Sequence, residues 1–370
     1  MKKLIALSTL AAAIAFNAQA AEPYPIFEVD AMWVKPLPNA MINGDIASVT
    51  VDARDHVWIV NRPRTIREDE RTVGVPGKPD EAECCRAAPS VIEYDTEGKM
   101  VQAWGGPSAD GKYDWPTSEH GISVDHKDNV WICGNSANQC LKFTRDGKFL
   151  LQIGKPIKET NSLDTVHLNR PAEAVVWPAT NEVFIADGYG NRRVAVFDAD
   201  TGAFKRMWGA YGKKPDDTVK ESAPETRAKG PPSTQFDTVH GIKISKDGIV
   251  YASDRGNNRI QAFTIDGKFL KEGFVNRGTL MSSGTMFAMD FSADAQEKFV
   301  YAGDLPSGKI RILDRQTLTE IPGATIGSRG HLPGQFRGLH SLATDSKGNI
   351  YTVDTRNARL QKFVNKGMSK

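Results

Sequence analysis

A short unit built around an aromatic residue recurs six times in this chain of 370 residues, and the repetition limits the available folds more than any other feature. In each copy the aromatic residue sits in an apolar run, and turn segments such as Lys246–Gly248 separate it from neighbouring runs. The six markers are Trp58, Trp131, Phe184, Tyr251, Tyr301 and Tyr351. Short runs joined by turn residues are typical of antiparallel meanders. The sequence therefore predicts an all-β protein with six four-stranded units.

The sixth unit lacks a fourth strand, and the first unit is preceded by an unassigned run. The chain ends a few residues after Phe363, whereas residues 26–34 form an additional β-type run. Closing the ring is how a propeller removes exposed sheet edges. We therefore predict a six-bladed β-propeller whose ring is closed by an N-terminal strand in the last blade.

Residues 1–20 have the three parts of a secretory signal peptide. These are Lys2 and Lys3, an apolar run over residues 4–16 and the small-residue end at residues 18–20. Cleavage near Ala20 would release an exported protein, periplasmic or secreted, whose residues 21–370 we expect to form a single six-bladed domain. The apolar run is too short to cross a bilayer, and no later run approaches the roughly 20 apolar residues that a membrane-spanning helix needs.

Charge gives no reason to expect a polyanionic partner. The chain has 47 basic and 45 acidic residues, and removal of the two lysines in the predicted signal balances the totals. Because proteins that bind nucleic acid present basic surfaces, nucleic acid is not an expected partner.

Four cysteines in a chain predicted to be exported permit disulfide bonds. Cys133 and Cys140 flank a turn in one predicted hairpin, where cross-strand neighbours can meet disulfide geometry. These two residues are therefore a candidate disulfide. Cys84 and Cys85 are adjacent, and a bond between neighbours closes a strained ring. We expect free thiols there, or pairing elsewhere.

The long connections all join the same kinds of strand ends. Turns between first and second strands and between third and fourth strands are tight, whereas residues 62–89, 107–119, 155–171 and 210–239 form second-to-third turns or links between blades. In a four-stranded meander, the second-to-third turns and the links between blades lie on the same face of the propeller. Binding groups concentrate on loops carried by a rigid scaffold, so we expect a small-molecule or peptide substrate there. Long loops can also simply pack on their neighbours.

Histidine occupies the opening position of every second first strand. Across the six units that position reads Ala47, His120, Ala172, His240, Phe287 and His340. Alternate blades of a six-fold ring stand about 120° apart, and the first strand is innermost, so the three imidazoles should converge near the axis. Three histidines on zinc leave a fourth position for water or substrate. The register predicts a divalent-metal site, with zinc as the expected ion, although a lone histidine at a strand end is usually a satisfied polar residue.

Two further side chains belong to the same predicted face. Tyr189 lies in a second-to-third turn, where it can serve chemistry or packing. Arg62 ends the second strand of the first unit, at a position where we expect small or acidic residues in the other units. A guanidinium there can bind a carboxylate through two hydrogen bonds. It can equally pair with an acidic neighbour, Glu68, Asp69 or Glu70.

The turns after the second strands carry a family resemblance. Three of them, at residues 187–192, 254–259 and 354–359, resemble the Asp-x-x-Asn-x-Arg turns of the NHL repeat, which recurs over nearly all of the mature chain. More narrowly, the chain resembles the peptidyl-α-hydroxyglycine α-amidating lyase family, a group of six-bladed NHL-type propellers. The matching parts are residues 120–125, 187–192, 239–242 and 339–342, together with Arg62.

The resemblance implies a chemistry for these residues. It implies a catalytic zinc held by His120, His240 and His340, with Tyr189 as a base or proton relay and Arg62 as the ligand of the substrate carboxylate. The implied reaction is cleavage of a carbinolamide C–N bond, which yields an amidated product and glyoxylate.

The chain departs from the family pattern at three positions. Gly190 stands where the family has a cysteine, and Gly338 stands where it has a methionine. Ser341 replaces an acidic residue that helps to bind calcium in the family, which speaks against a structural calcium in this chain.

Three functional hypotheses follow from the sequence. The leading one is an exported, metal-dependent, lyase-like enzyme that acts on a small carboxylate- or amide-containing substrate. The first alternative is a non-catalytic NHL-repeat binding or scaffold protein of the cell envelope, which would not need three convergent imidazoles. The second is a lactonase-type propeller hydrolase. Such propellers use acidic and amide ligands at the axis, so the histidine register argues against it.

Overall fold

The computed structural model describes residues 22–67, 70, 85–136, 138–156 and 160–370. These residues form six four-stranded antiparallel sheets arranged as the blades of a propeller, which confirms the predicted fold class. The predicted signal peptide lies outside the described residues, as do Glu68, Asp69 and Cys84.

The first half of the ring contains three blades. The chain enters through β1 (Pro25–Asp30) and the short β2 (Met41–Ile42). Blade one contains β3 (Asp45–Val51), β4 (Val57–Arg62), the short inserted β5 (Arg86–Ala87), β6 (Val91–Tyr94) and β7 (Met100–Trp104). Blade two contains β8 (Glu119–Val124), β9 (Val130–Gly134), β10 (Gln139–Phe143) and β11 (Phe149–Gly154). Blade three contains β12 (Glu173–Trp177), β13 (Glu182–Asp187), β14 (Arg193–Asp198) and β15 (Phe204–Trp208).

The second half begins after the short helix α1 (Pro224–Lys229). Blade four contains β16 (Val239–Ile244), β17 (Ile249–Asp254), β18 (Arg259–Thr264) and β19 (Phe269–Phe274). Blade five contains β20 (Met286–Phe291), β21 (Phe299–Asp304), β22 (Lys309–Asp314) and β23 (Thr319–Ile326), and the short β24 (Ser328–Arg329) and β25 (Gln335–Phe336) follow it. Blade six contains β26 (Leu339–Thr344), β27 (Ile350–Asp354) and β28 (Arg359–Met368).

Single turns of 3₁₀ helix lie at Pro63–Thr65, Ala210–Gly212 and Thr355–Asn357. In the described part of the chain, no helix has the length and apolar character needed to cross a bilayer.

The N-terminal strand closes the ring, as predicted. β1 pairs antiparallel with β28, with Val29 opposite Phe363, and so becomes the fourth strand of blade six. Phe27 packs edge-on against Tyr301 of blade five at 5.6 Å between ring centroids. The first and last described strands therefore hold one sheet together and also contact the neighbouring blade.

The aromatic markers fill the space between neighbouring blades. All six are at most 1 % exposed. Trp58 of blade one packs with Ile122 and Ile132 of blade two, and Tyr251 of blade four packs with Met289 and Phe291 of blade five. Burial of one such side chain contributes roughly 1.5–3 kcal/mol, so the repeated marker explains why each sheet needs a neighbour on either side.

The Asp–Asn–Arg turns tie each blade to the link that precedes it. The Asp254 carboxylate accepts hydrogen bonds from the Asn257 amide at 2.9 Å and the Arg259 guanidinium at 2.7 Å. Its other oxygen accepts from the backbone N–H of Asp237 at 2.8 Å, just before β16 begins. A buried carboxylate with this many donors is fully satisfied, so the motif fixes where the first strand starts.

Blades three and six repeat parts of this network. The Asp187 carboxylate binds the guanidinium of Arg193 at 2.8 Å, whereas Arg192 donates to the carbonyl of Phe236. The structural arginine of blade three is therefore one residue later than the motif predicts. In blade six, Asp354 accepts from the backbone N–H of Gly338 at 2.7 Å.

The structure confirms one predicted disulfide and shows that a further cysteine is also bonded. Cys133 and Cys140 form a disulfide between the paired strands β9 and β10, as predicted. Cys85 is also disulfide-bonded, which rules out a free thiol, the first of the two alternatives expected for it.

Replacing Phe27 by alanine tests the role of β1 in closing the ring. The change removes the contact with Tyr301 and should lower the free energy of unfolding by about 1–3 kcal/mol. Ile26→Ala is the matched control, because Ile26 lies on the same strand but is 40 % exposed. Urea denaturation measures both. Equal midpoints for the two variants would contradict a closing role for Phe27.

Candidate functional site

A β-bulge at each histidine aims its side chain out of the regular strand pattern. In β8, Glu119 lies opposite Gly134 and Gly121 lies opposite Cys133, so His120 is the extra residue. The same shift occurs around His240 in β16 and His340 in β26. A bulge re-aims the side chain of the extra residue. Because the first strands of neighbouring blades contact one another around the ring, the three bulges direct the imidazoles to a common point.

The three imidazoles form a nearly equilateral triangle. The ring centroids of His120 and His240 are 4.7 Å apart, and His340 lies 4.8 Å from each of them. One nitrogen from each ring lies within 4.8 Å of the others, and the three residues are buried or nearly so. The structure thus brings together the histidines that the sequence places on alternate blades.

Each imidazole is oriented by a backbone carbonyl of the next blade. The Nδ1 atoms of His120, His240 and His340 lie 2.9, 2.6 and 2.7 Å from the carbonyl oxygens of Ala172, Phe287 and Ala47. These are the non-histidine residues at the same register. Because a carbonyl only accepts, Nδ1 must carry the proton. The Nε2 atom of each ring therefore keeps its lone pair and faces the shared centre.

Burial keeps the three rings neutral. Desolvation lowers the pKa of His120 and His240 well below the ordinary value, and the neighbouring histidines add to this effect. Desolvation also lowers the pKa of His340, to about 3, with the Arg62 charge as the next cause. Neutral imidazole is the form that binds a metal.

This donor set fits a divalent metal. The Nε2 atom of His240 is buried and has no hydrogen-bond partner in the part of the chain that the structure describes. An unpaired polar atom of this kind is costly in a protein interior. Three imidazole nitrogens are a donor set suited to zinc. The residues present are therefore able to hold the ion that the resemblance implies.

Tyr189 contacts the histidine centre directly. Its hydroxyl lies 3.0 Å from Nε2 of His120, and Nη1 of Arg255 donates to the same hydroxyl at 3.2 Å. The guanidinium of Arg255 also lies over the Tyr189 ring, 5.1 Å from its centroid, and that of Arg170 lies 5.5 Å from it. The tyrosine is therefore placed between a candidate metal ligand and a cation.

Arg62 approaches the same centre from the opposite side of the ring. It ends β4, and its Nε donates to the backbone carbonyl of Glu119 at 2.8 Å, directly before His120. Burial lowers the pKa of Arg62, with Arg64 adding to that effect and Tyr189 opposing it. The charge of Arg62 in turn lowers the pKa of His120 and His340, so the guanidinium lies close enough to both imidazoles to act on them electrostatically.

Arg255 was not predicted from the sequence, and the expectation that the other units have only small or acidic residues at the Arg62 position is wrong. Arg255 directly follows the last residue of β17, as Arg62 directly follows Asn61 in blade one. The two arginines share one register on opposite blades of the ring. A full comparison of the six turns would have shown a second large cation where only small or acidic residues were expected.

The glycine that replaces the family's cysteine is enclosed by another side chain. A Cβ atom on Gly190 would lie 2.2 Å from the side chain of Asn169. Gly190 also donates its backbone N–H to the carbonyl of Asn169 at 3.0 Å. Packing of Asn169 therefore supports the Tyr189 loop where the family has a disulfide. Ser341 shares a hydrogen bond of 3.1 Å with Ser48.

A second cluster of titratable residues is already occupied by an arginine. Asp52, His56 and Glu93 lie close enough to hold a metal, but the Arg145 guanidinium binds the Asp52 carboxylate at 2.7 Å and also pairs with Glu93. The cluster is an ion-pair network between blades one and two.

Two family models match parts of the chain. A model described as "Lactonase, 7-bladed beta-propeller" matches residues 176–323, and the NHL repeat model matches residues 336–363. The described residues form six blades and not seven. The lactonase match therefore reflects similarity between individual blades and does not extend to the number of blades.

Individual relatives are distant. Peptidyl-glycine alpha-amidating monooxygenase B of Xenopus laevis is 30 % identical over 156 residues, which are 41 % of this chain and 16 % of that protein. Peptidyl-alpha-hydroxyglycine alpha-amidating lyase 1 of Drosophila melanogaster is 25 % identical over 276 residues, 70 % of this chain and 47 % of that protein. The chain thus spans less than half the length of either relative.

A solved structure supports the fold alone. The "Streptogramin B lyase structure" superposes with a TM-score of 0.53 at 12 % identity, over 93 % of this chain and 98 % of that one. Together these comparisons show an NHL-type six-bladed propeller that resembles the amidating lyases at low identity.

The pH dependence of stability tests the buried state of the histidines. An unfolded histidine titrates near 6.5, whereas the pKa of His340 in the folded protein is about 3. The unfolded state therefore binds protons first as the pH falls through this window. The free energy of unfolding of the metal-free protein should fall from pH 6.5 towards pH 3, by up to about 1.4 kcal/mol per pH unit for each histidine.

His340→Gln should make that decline shallower in urea denaturation with a chelator present. His126→Gln is the control, because His126 is exposed in a surface turn. Identical slopes for the wild type and His340→Gln would show that His340 is not held neutral by the fold.

Proposed function

We propose that this protein is an exported enzyme whose His120, His240 and His340 bind one divalent metal ion, zinc by the chemistry of the donors. We propose further that it cleaves a peptidyl-α-hydroxyglycine-type carbinolamide to an amide and glyoxylate. The observation that carries the proposal is the convergence of three neutral imidazoles, oriented by Nδ1 hydrogen bonds, beside a tyrosine that contacts Arg255.

The metal would act as a Lewis acid. Zinc bound by three imidazoles supplies a Lewis acid at its open position, which polarises a hydroxyl oxygen. The blade-to-blade hydrogen bonds of Nδ1 would keep the three ligands in place, since such outer contacts fix the tautomer and the ring orientation.

Tyr189 is placed to move the proton that the reaction requires. In the cleavage, the carbinolamide O–H proton is removed, the C–N bond breaks with its electron pair going to nitrogen, and that nitrogen takes up a proton. The Tyr189 hydroxyl lies at the centre where the substrate hydroxyl would bind. The hydrogen bond from Arg255 stabilises negative charge that develops on the phenolic oxygen. Tyr189 thus acts as the proton relay.

Two arginines supply the anion-binding part of the site. The charges of Arg62 and Arg255 both lower the pKa of His120 and His340. The two arginines belong to opposite blades of the ring. A guanidinium binds a carboxylate through two parallel hydrogen bonds. The carboxylate that becomes part of glyoxylate would therefore be held between them, with the hydroxyl directed towards the histidines.

An apolar cleft beside Arg62 offers space for the rest of the substrate. Its volume is about 480 Å³, within the range of small-molecule sites. The walls include Pro63, Ala87, Pro107 and Trp115, and Glu119, the residue before His120, also lines the cleft. The Glu119 carboxylate is already paired, for example with Arg64 at 2.7 Å. The cleft therefore suits an uncharged, apolar residue of a peptide substrate.

Lactone hydrolysis is the second candidate, because the lactonase model matches residues 176–323. That activity would use the same axial position. The groups that meet there in the described residues are imidazoles rather than carboxylates, which favours the lyase. A lactone hydrolysis assay beside the glyoxylate assay separates the two reactions.

Metal content and turnover test the proposal together. The wild-type protein should bind one zinc and release glyoxylate from a peptide that ends in α-hydroxyglycine, whereas His240→Ala should bind none. Tyr189→Phe should keep the metal and lose about 10²–10⁴-fold in kcat, the usual contribution of a positioned proton donor or acceptor. Tyr211→Phe is the control, because the Tyr211 hydroxyl instead contacts Glu272 and Arg259. Metal-loaded protein that releases no glyoxylate would remove the named activity.

A bulky substitution in the cleft tests whether it binds the penultimate side chain of the substrate. Ala87→Trp should fill the cleft and lower kcat/KM at least tenfold for a substrate with a penultimate phenylalanine, and less for one with glycine there. Ala295→Trp is the matched control, since Ala295 is exposed in the turn between β20 and β21 of blade five and does not line the cleft. Equal losses for both substrates would show that the cleft does not select the side chain.

A further inference from the structure

A buried ion pair lies one layer below the histidines. Glu173 is 8 % exposed and directly follows Ala172, whose carbonyl accepts the Nδ1 hydrogen bond of His120. Lys243 lies on the next blade, three residues after His240, and its side chain is 16 % exposed. Both line the small cavity that the three histidines also line.

The Glu173 carboxylate joins the segments that hold two of the histidines. One oxygen accepts from the backbone N–H of Ile242 at 2.9 Å, and the other accepts from the Lys243 ammonium at 2.9 Å. The donors belong to the strand that carries His240. One side chain therefore connects the carbonyl that orients His120 to the strand that positions His240.

The neighbouring carboxylates favour the charged form of Lys243. Burial acts to lower the pKa of Lys243, but the Glu173 and Asp290 carboxylates raise it above its ordinary value. Without Lys243, Glu173 would be an unpaired charge in the interior, which is strongly unfavourable.

Blade five repeats part of the arrangement. Asp290 lies three residues after Phe287, which orients His240, and its carboxylate accepts from the backbone N–H of Thr344 on the strand that carries His340. A carboxylate link from an orienting blade to the next histidine blade thus occurs twice.

We propose that the Glu173–Lys243 pair positions His120 and His240 relative to each other and thereby raises the affinity of the centre for a divalent metal. Neither residue touches the metal or the substrate. The inference rests on the three-histidine metal site of the proposed function. Outer contacts of metal ligands commonly change metal affinity 10–100-fold, so the effect should be measurable without any turnover.

The test is a metal titration of four variants against a competing chelator. Glu173→Gln keeps an acceptor for Ile242 but loses the charge, and should weaken zinc binding about tenfold. Glu173→Ala and Lys243→Met should weaken it up to about 100-fold. With cobalt(II) in place of zinc, the visible absorption bands should shift in the same order, because they report the ligand geometry.

Lys142→Met is the matched control. Lys142 is also a buried lysine, but it donates to the carbonyl of Ala199 and pairs with Asp200, away from the histidines. It should lower the urea midpoint and leave zinc affinity and the cobalt spectrum unchanged.

Two results overturn the inference in distinguishable ways. Wild-type protein that binds no metal removes the proposed site and this pair's role with it. Wild-type protein that binds zinc while Glu173→Gln and Lys243→Met bind it equally well overturns the positioning role alone.

Discussion

The pairing of β1 with β28 is the constraint on which the rest of the structure depends. It supplies the fourth strand of blade six and covers the edge of β28, which would otherwise be unpaired. A closed ring places the first strands of the blades around one axis, where they contact one another. Only in this arrangement can residues from blades two, four and six meet, although they are separated by 120 and 100 residues along the chain.

Blades that supply a histidine alternate around the ring with blades that supply a carbonyl. Blades two, four and six supply imidazoles, and blades three, five and one supply the carbonyls that orient them. Each hydrogen bond crosses a blade boundary, so the geometry of the centre depends on how neighbouring sheets pack. The buried aromatic residues between the blades and the Asp–Asn–Arg turns fix that packing. Tyr189, Arg62 and Arg255 then add a proton carrier and two cations around the centre.

The sequence predicted the blades and the meeting of His120, His240 and His340, because aligned repeats report both periodicity and register. It did not predict the bulge that aims each imidazole, since one extra residue in a strand leaves little trace in an apolar pattern. Arg255 could have been predicted from the sequence, because it shares its register with Arg62. The Glu173–Lys243 pair could not have been predicted, because the partners lie on different blades and their contact depends on three-dimensional packing.

X-ray absorption spectroscopy of the zinc-loaded protein tests the three-histidine centre, because it reports the atoms bound to the metal. We expect a shell of three imidazole nitrogens and one oxygen at about 2.0–2.1 Å. A shell that contains sulfur, or one built from carboxylate oxygens without imidazole, would place the metal elsewhere and contradict the three-histidine centre.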